Sequence, residues 1–136
     1  MDNVNAKDRN GHTPLTIASK EGNIDTVNDL LDRGADINIT SEKGKTALHY
    51  AAANDQTAVV KLLIEKGAKI DLRDRDGRTP LILAAVYGCN QAVQALLEAG
   101  ADPKATTNNG NTAIVYAENN NHPVAVALLK KALNNQ

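Results

Sequence analysis

Residues 76–85 read DGRTPLILAA, and the same arrangement of residues occurs three more times in the chain. The other copies are NGHTPLTIAS (10–19), KGKTALHYAA (43–52) and NGNTAIVYAE (109–118). Each copy begins 33 residues after the one before it. A fixed period of this length indicates a protein built from stacked structural repeats, each of which packs on its neighbours.

Six positions of the repeat carry the same or a similar residue in all four copies. They are Gly11, Gly44, Gly77 and Gly110; Thr13, Thr46, Thr79 and Thr112; Leu15, Leu48, Leu81 and Ile114; Ala18, Ala51, Ala84 and Ala117; Val27, Val60, Val93 and Val126; Leu30, Leu63, Leu96 and Leu129. One local motif competes with this interpretation, because Gly44-Lys45-Thr46 looks like the end of a phosphate-binding loop. That loop requires a glycine five residues before Gly44, where this chain has Ile39. We therefore do not expect nucleotide binding.

Copy three predicts a pair of short helices. Pro80 directly after Thr79 is typical of a first helical turn preceded by a capping hydroxyl. Apolar residues then recur at helical spacing until Gly88, and a second helix ends at Gly100. The residues that end the first helix in the four copies all tolerate a left-handed backbone. They are Gly22, Asp55, Gly88 and Asn121.

The repeats predict one all-α domain over residues 1–136, with eight helices in four antiparallel pairs joined by protruding β-turn or hairpin loops. The predicted repeats span about residues 8–40, 41–73, 74–106 and 107–136, and residues 1–7 resemble the tail of a preceding partial repeat. Asp29 and Lys130 stand at positions that are apolar in other copies, as expected of end copies facing water. A fragment of a longer protein and a natural start on a half repeat both stay open.

These residues resemble the ankyrin-repeat family, whose pattern has a Thr-Pro-Leu-His-x-Ala core, a central glycine, a Leu-Leu pair and Gly-Ala-Asp. The matching segments are Thr13-Pro14-Leu15, Thr46-Ala47-Leu48-His49, Thr79-Pro80-Leu81, Gly34-Ala35-Asp36 and Gly100-Ala101-Asp102. Copy four lacks the final Gly-Ala-Asp. The resemblance implies an ankyrin-repeat solenoid that binds another protein through a concave surface of turns and inner helices. It also implies that His49 forms a hydrogen bond inside its own repeat.

The composition suits thin helical layers. The 136 residues include no Phe or Trp and three Tyr, and their formal net charge is −1. Cys89 is the only cysteine, so no internal disulfide can form. No apolar run approaches membrane-spanning length, and no secretory signal follows Met1. We expect a cytoplasmic monomer without membrane contact, while export or secretion as part of a longer precursor stays open.

The sequence offers no convincing catalytic or metal site. Residues 74–77 (DRDG) hint at a calcium loop, but the remaining ligand positions of that loop hold Leu72 and Leu83. The histidines lack zinc-ligand spacing. They are His12, His49 and His122. We predict no cofactor, no metal and no enzymatic activity.

The predicted partner-binding residues are turn-tip and inner-helix positions that vary between copies. They are Arg9, His12, Lys20, Lys43, Lys45, Asn54, Arg73, Arg75, Asp76, Arg78, Val86 and Tyr87. They belong to 24 such positions, of which eight are Lys or Arg and three are Asp or Glu, a net charge of +5 within a chain of −1. This polarity favours an acidic partner surface. The alternative is that turn tips merely need soluble residues.

Three further functional interpretations stay open. The chain could be an inhibitor or immunity-type protein that neutralises a specific enzyme or toxin, or a structural spacer within a larger multidomain protein. Nucleic-acid binding through the basic positions is disfavoured by the sequence pI of about 6.3 and by the scarcity of aromatic residues for base stacking.

Overall fold

A computed structural model describes residues 3–135 of the chain, which form eight α-helices and no β-strand. The helices are α1 Pro14–Glu21, α2 Ile24–Asp32, α3 Ala47–Ala53, α4 Thr57–Glu65, α5 Pro80–Tyr87, α6 Asn90–Glu98, α7 Ala113–Asn119 and α8 Pro123–Asn134. The predicted all-α architecture of four helix pairs is confirmed. Met1 and Asp2, with which the predicted tail of a partial repeat begins, lie outside the described residues.

The helices form two layers. The inner layer contains α1, α3, α5 and α7, each in contact with the next along the chain, and the outer layer contains α2, α4, α6 and α8 in the same order. Within each copy the inner helix packs on its own outer helix. Helix pairs therefore stack in sequence order, as expected of a solenoid.

The inner helices begin as the sequence predicts. The threonine before each of the first three accepts a hydrogen bond from the backbone N–H three residues later, at N···O distances of 3.2–3.3 Å. These capping residues are Thr13, Thr46 and Thr79. Thr112 has the same extended backbone but makes no such bond, so α7 lacks a side-chain cap.

The inner helices also end as predicted. The residue that closes the turn after each inner helix has a left-handed backbone, with φ of 77° at Gly22, 54° at Asp55, 68° at Gly88 and 61° at Asn121. Three different residue types thus meet one backbone requirement. The last outer helix differs from the others, because Leu133 occupies the position of the helix-ending glycine and α8 extends to 12 residues instead of nine.

Buried leucines and alanines fill the space between the layers. Leu15, Leu48 and Leu81 are at most 1% exposed, and Ala51 and Ala84 of the inner helices α3 and α5 are fully buried. Alanine at this position allows adjacent helices to approach closely, since it carries a single methyl group. Each pair thereby buries its apolar face on its neighbours rather than in a central core.

The four hairpin turns, residues 8–12, 41–45, 74–78 and 107–111, are joined by backbone hydrogen bonds. Each of the last three turns donates an N–H to a carbonyl oxygen of the turn before it. The donor and acceptor residues, with N···O distances, are Glu42 and Asn10 (3.2 Å), Arg75 and Lys43 (3.1 Å), and Asn108 and Asp76 (3.0 Å). The turns therefore form a continuous ladder along one edge of the stack.

Side chains at one repeat position connect each copy to the carbonyl end of the preceding inner helix. The Gln56 amide donates to the Lys20 carbonyl at 3.0 Å, and the Cys89 thiol donates to the Ala53 carbonyl at 3.5 Å. In copy four, His122 Nε2 lies 3.1 Å from the Val86 carbonyl. An amide, a thiol and an imidazole thus approach carbonyls near the ends of the preceding inner helices, and the Val86 carbonyl also accepts a bond from the Asn120 amide at 3.2 Å.

A second repeat position connects the copies below the turns. Asn5 Oδ1 accepts a hydrogen bond from the Asp36 N–H at 2.8 Å, and Asn38 Oδ1 accepts one from the Lys69 N–H at 3.0 Å. One copy further on, Asp71 accepts a bond from the Asp102 N–H at 3.2 Å. The segment before copy one therefore makes the same bond to copy one as copies one and two make to the copies that follow them.

His49 connects copies two and three from a fully buried position. Its Nδ1 lies 3.0 Å from the Thr46 backbone nitrogen, and its Nε2 lies 2.9 Å from the Arg78 carbonyl oxygen. The predicted bond inside its own repeat is confirmed, and the bond to Arg78 adds a connection that the sequence did not predict. A neutral ring with the proton on Nε2 satisfies both contacts. Burial lowers the pKa of His49, which favours that neutral form.

We expect His49→Thr to lower the free energy of unfolding by about 0.5–1.5 kcal/mol, because the Arg78 carbonyl loses the His49 ring N–H and keeps only the Asp74 N–H as a donor. Thr16, at the same position of copy one, shows that threonine can make the local bonds with the preceding threonine. The variant should also lose the part of the pH dependence of stability that comes from His49. In the wild type, the unfolded chain protonates His49 below about pH 6.5 while the folded protein keeps it neutral, so stability falls as the pH decreases below that value.

Urea denaturation of both proteins between neutral and mildly acidic pH would check this expectation. His12 and His122 are present in both proteins, so their contributions cancel in the comparison. If the free energy of unfolding depended on pH equally in His49→Thr and in the wild type, His49 would not be the neutral buried group described above.

The left-handed backbone at Asn121 generates a second prediction. Asn121→Val should destabilise the fold by about 1–2 kcal/mol, because a β-branched residue tolerates this conformation poorly, whereas Asn121→Gly should be neutral or stabilising. Asn121 is exposed, so the effect reports backbone conformation rather than lost packing. Thermal unfolding would measure it, with the exposed Lys130→Val in α8 as the control for adding a valine. Equal stability of the two Asn121 variants would be the contrary result.

Candidate partner-binding surface

The hairpin turns and the exposed side of the inner helices form one surface, which we call the groove face. A cleft of about 520 Å³ lies on it. The cleft is lined by turn residues of the first three copies, together with Lys20 at the end of α1 and Tyr50 in α3. The turn residues are Asn10, His12, Glu42, Lys43, Lys45 and Arg75.

The structure gathers five of the twelve predicted residues around this cleft. They are His12, Lys20, Lys43, Lys45 and Arg75. The other seven lie outside its lining. They are Arg9, Asn54, Arg73, Asp76, Arg78, Val86 and Tyr87. Of all twelve residues, eight are exposed and four are half-buried, the latter being His12, Lys45, Arg78 and Val86.

Lys45 is held by the protein itself. Its ammonium lies 3.4 Å from Oδ2 of Asp74, whose side chain is fully buried. The other carboxylate oxygen, Oδ1, accepts hydrogen bonds from the N–H groups of Asp76 and Arg78, both at 2.9 Å. In the Gly44-Lys45-Thr46 motif, Gly44 therefore belongs to the hairpin turn, Lys45 pairs with the buried Asp74, and Thr46 caps α3. Lys45 contributes charge to the cleft, but its ammonium already has a carboxylate.

His12 and Tyr50 form the aromatic part of the cleft lining. Their ring centroids are 5.2 Å apart, and the Tyr50 hydroxyl donates to Ser41 Oγ at 2.7 Å. A matching arrangement occurs at Arg78, whose guanidinium lies 5.4 Å from the ring centroid of Tyr116. The Tyr116 hydroxyl in turn lies 3.2 Å from Thr107 Oγ1, and this hydrogen bond is the main cause of its lowered pKa.

The sequence reasoning missed both tyrosines as parts of the groove face. A signal was present, because Tyr50 and Tyr116 occupy the same repeat position. Each also lies 38 residues after its partner, His12 or Arg78. Each contact joins one copy to the next. Comparing equivalent positions of the four copies therefore does not reveal it, whereas comparing each turn with the inner helix of the following copy does.

Arg73 is also partly engaged inside the stack. Its Nε donates to the Gly77 carbonyl at 3.2 Å, and its Nη2 donates to Asn108 Oδ1 at 3.2 Å. The Asn108 amide continues the connection by donating to the Arg75 carbonyl at 2.8 Å. These bonds fix the position of the third turn against the fourth.

Tyr87 is the most exposed large hydrophobic residue among residues 3–135, at 59% relative exposure. It ends α5, directly after the half-buried Val86. This apolar spot lies beyond the cleft, toward the opposite end of the inner helices from the hairpin turns. The groove face therefore has a cationic region near the turns of copies one to three and a separate aromatic spot on copy three.

The described residues offer little support for a metal site, a reactive cysteine or a membrane-spanning helix. Residues 3–135 contain no cluster of three or more His, Cys, Asp or Glu side chains placed to hold a metal ion. Cys89 is buried, and burial is the main cause of its raised pKa, which disfavours the reactive thiolate. None of the described helices is long and apolar enough to cross a membrane.

Comparison with known proteins identifies the family. The family model described as ankyrin repeats (3 copies) matches residues 22–107 and 70–136, which together cover most of the chain. A search of curated proteins found no significant match. Ankyrin repeats are generally protein–protein interaction modules, and the family is typically non-enzymatic. The stacked helix pairs, the turn ladder and this match together show that the chain belongs to the ankyrin-repeat family.

Proposed function

We propose that this chain is a non-enzymatic binding module whose groove face contacts an acidic surface of a partner protein. One observation carries the proposal: cationic side chains from three successive copies surround a single cleft in a chain whose overall charge is −1. Four Lys or Arg residues and one Glu line that cleft, a net charge of +3. Complementary potentials speed encounter and exclude partners of the wrong charge.

Three of the four cleft cations have no carboxylate partner nearby among the described residues, which supports this proposal. Among residues 3–135, no carboxylate lies within 4.0 Å of the Lys20, Lys43 or Arg75 side-chain nitrogens. All three residues are exposed. A merely soluble turn would be served equally well by mixed charges, whereas these cations converge without neutralising partners. Copy four carries Asn119, Asn109 and Asn108 at the positions equivalent to Lys20, Lys43 and Arg75, and so supplies no cation there.

The aromatic spot on copy three supplies the apolar part of the proposed contact. Exposed Tyr87 at the end of α5, and Arg75 and Arg78 in the hairpin turn of the same copy, belong to residue types that dominate binding hot spots. Arg78 already rests on Tyr116, so we expect Arg75 to contribute more directly to the partner than Arg78 does. We expect the module to act as a cytoplasmic monomer.

The experiment is a pull-down from the source lysate with three baits, followed by mass spectrometry. The first bait is the wild type, and the second is Arg75→Glu/Arg78→Glu/Tyr87→Ala. The third is Lys61→Glu/Lys130→Glu/Val124→Ala, a control with the same charge change and a smaller loss of exposed apolar surface on the outer helices α4 and α8. We expect a partner that is lost only with the second bait. A partner retained by that bait and lost with the control would place the contact on the outer surface and contradict the proposal.

With the purified partner, we expect Tyr87→Ala to weaken binding by about 1–3 kcal/mol, because truncation of an exposed interface tyrosine removes a hot-spot contact. Isothermal titration calorimetry would measure the loss. The association rate should also fall as salt is added, since screening shortens the range of the cationic field. If Tyr87→Ala bound the partner with wild-type affinity, the aromatic spot would not be part of the contact.

A further inference from the structure

We propose that the cleft binds an extended acidic segment of the partner, laid across the end of α1 and the hairpin turns of copies one to three, with its carboxylates against Lys20, Lys43 and Arg75. This inference deepens the proposed function and rests on it, because it names the element of the partner that the groove face receives. It adds a defined site and a defined chemistry to a general preference for negative charge.

The shape of the cleft suits such an occupant. This is a concave cleft of about 520 Å³ between the hairpin turns and the end of α1. A flat, folded surface would leave most of this concavity empty, whereas side chains projecting from an extended strand can enter it.

The distribution of charge favours a segment rather than a compact anion. Lys20, Lys43 and Arg75 come from copies one, two and three in turn. Packed helices lie about 8–10 Å apart, so cations from three successive copies extend over roughly 16–20 Å. About six residues of extended chain cover that length, at about 3.3 Å per residue. A single phosphate group is too small to reach all three positions.

The cations are carried by a backbone that is already ordered. The Arg75 N–H donates to the Lys43 carbonyl at 3.1 Å, and the Glu42 N–H donates to the Asn10 carbonyl at 3.2 Å. The ion pair of Lys45 with the buried Asp74 fixes the base of the second turn against the third. Binding therefore orders few groups beyond the cationic side chains, which limits the entropic cost of association.

The aromatic side chains near the cleft favour a peptide over a nucleic acid, and the exposed Tyr87 lies outside the cleft lining. Bases bind to aromatic rings whose faces are open to stacking. Tyr50 has His12 against its ring and its hydroxyl bonded to Ser41, and Tyr116 has Arg78 over its ring. The cleft lining thus offers carboxylate partners without an open stacking platform.

The test uses the full chain and a fluorescein-labelled oligoglutamate peptide of about six to eight residues, the length that the three copies can accommodate. Fluorescence anisotropy at low salt should show saturable binding by the wild type. Lys43→Glu/Arg75→Glu should weaken it about tenfold or more, because two of the three unpaired cations become anions. Neither side chain makes a hydrogen bond or ion pair within residues 3–135, so the variant should fold normally.

The matched control is Lys61→Glu/Lys130→Glu, which changes the total charge equally on the exposed side of α4 and α8. Oligoglutamate affinity close to that of the wild type is expected for this control. An equal loss in both double variants would show that only net charge matters and would overturn the site. Tighter binding of a single-stranded oligonucleotide of equal charge would overturn it in favour of a nucleic-acid partner.

Competition separates this inference from the proposed function. Oligoglutamate should displace the purified partner from the wild type. A partner that is lost with the groove-face bait but is not displaced by oligoglutamate would overturn the acidic segment while leaving the proposed function intact. A partner held by the outer helices, together with oligoglutamate binding abolished by Lys43→Glu/Arg75→Glu, would overturn the proposed function and preserve the site.

Discussion

The packing of each helix pair on the next pair is the constraint on which the rest of the structure depends. A pair of helices of seven to nine residues has too little apolar surface to form a core of its own. Fully buried alanines such as Ala51 and Ala84 allow the inner helices to approach closely, and buried leucines fill the space toward the outer layer. Stability is therefore gained between neighbours, and each copy is ordered by the copies beside it.

Polar contacts between copies follow the same principle and tolerate changes of residue. Gln56, Cys89 and His122 use different chemical groups to approach a helix-end carbonyl of the preceding copy. Because backbone carbonyls at helix ends need donors, the requirement concerns hydrogen-bonding capacity more than residue identity. The thiol is the weakest donor of the three, so the contact between copies two and three relies more on His49 and on the Lys45–Asp74 ion pair.

This organisation separates the residues that hold the stack from those available to a partner, but the division does not follow repeat positions strictly. Lys45, Arg73 and Arg78 vary between copies as partner-facing residues do, yet each is engaged by a neighbouring copy. Lys20, Lys43 and Arg75 remain exposed without carboxylate partners among the described residues. The proposed acidic partner would meet a cationic region whose backbone is already fixed by the turn ladder.

The sequence by itself determined the repeat, the helix pairs and their boundaries, because capping threonines, left-handed glycine, aspartate or asparagine residues and apolar spacing act within one copy. It also marked the varied positions from which the cationic cleft is built. Only the tertiary structure decided which cations converge, that Lys45 pairs with Asp74, and that His12 and Arg78 pack on Tyr50 and Tyr116 of the following copies. Those contacts join residues about 30 or more positions apart, and their geometry arises from the stacking of copies rather than from any local pattern.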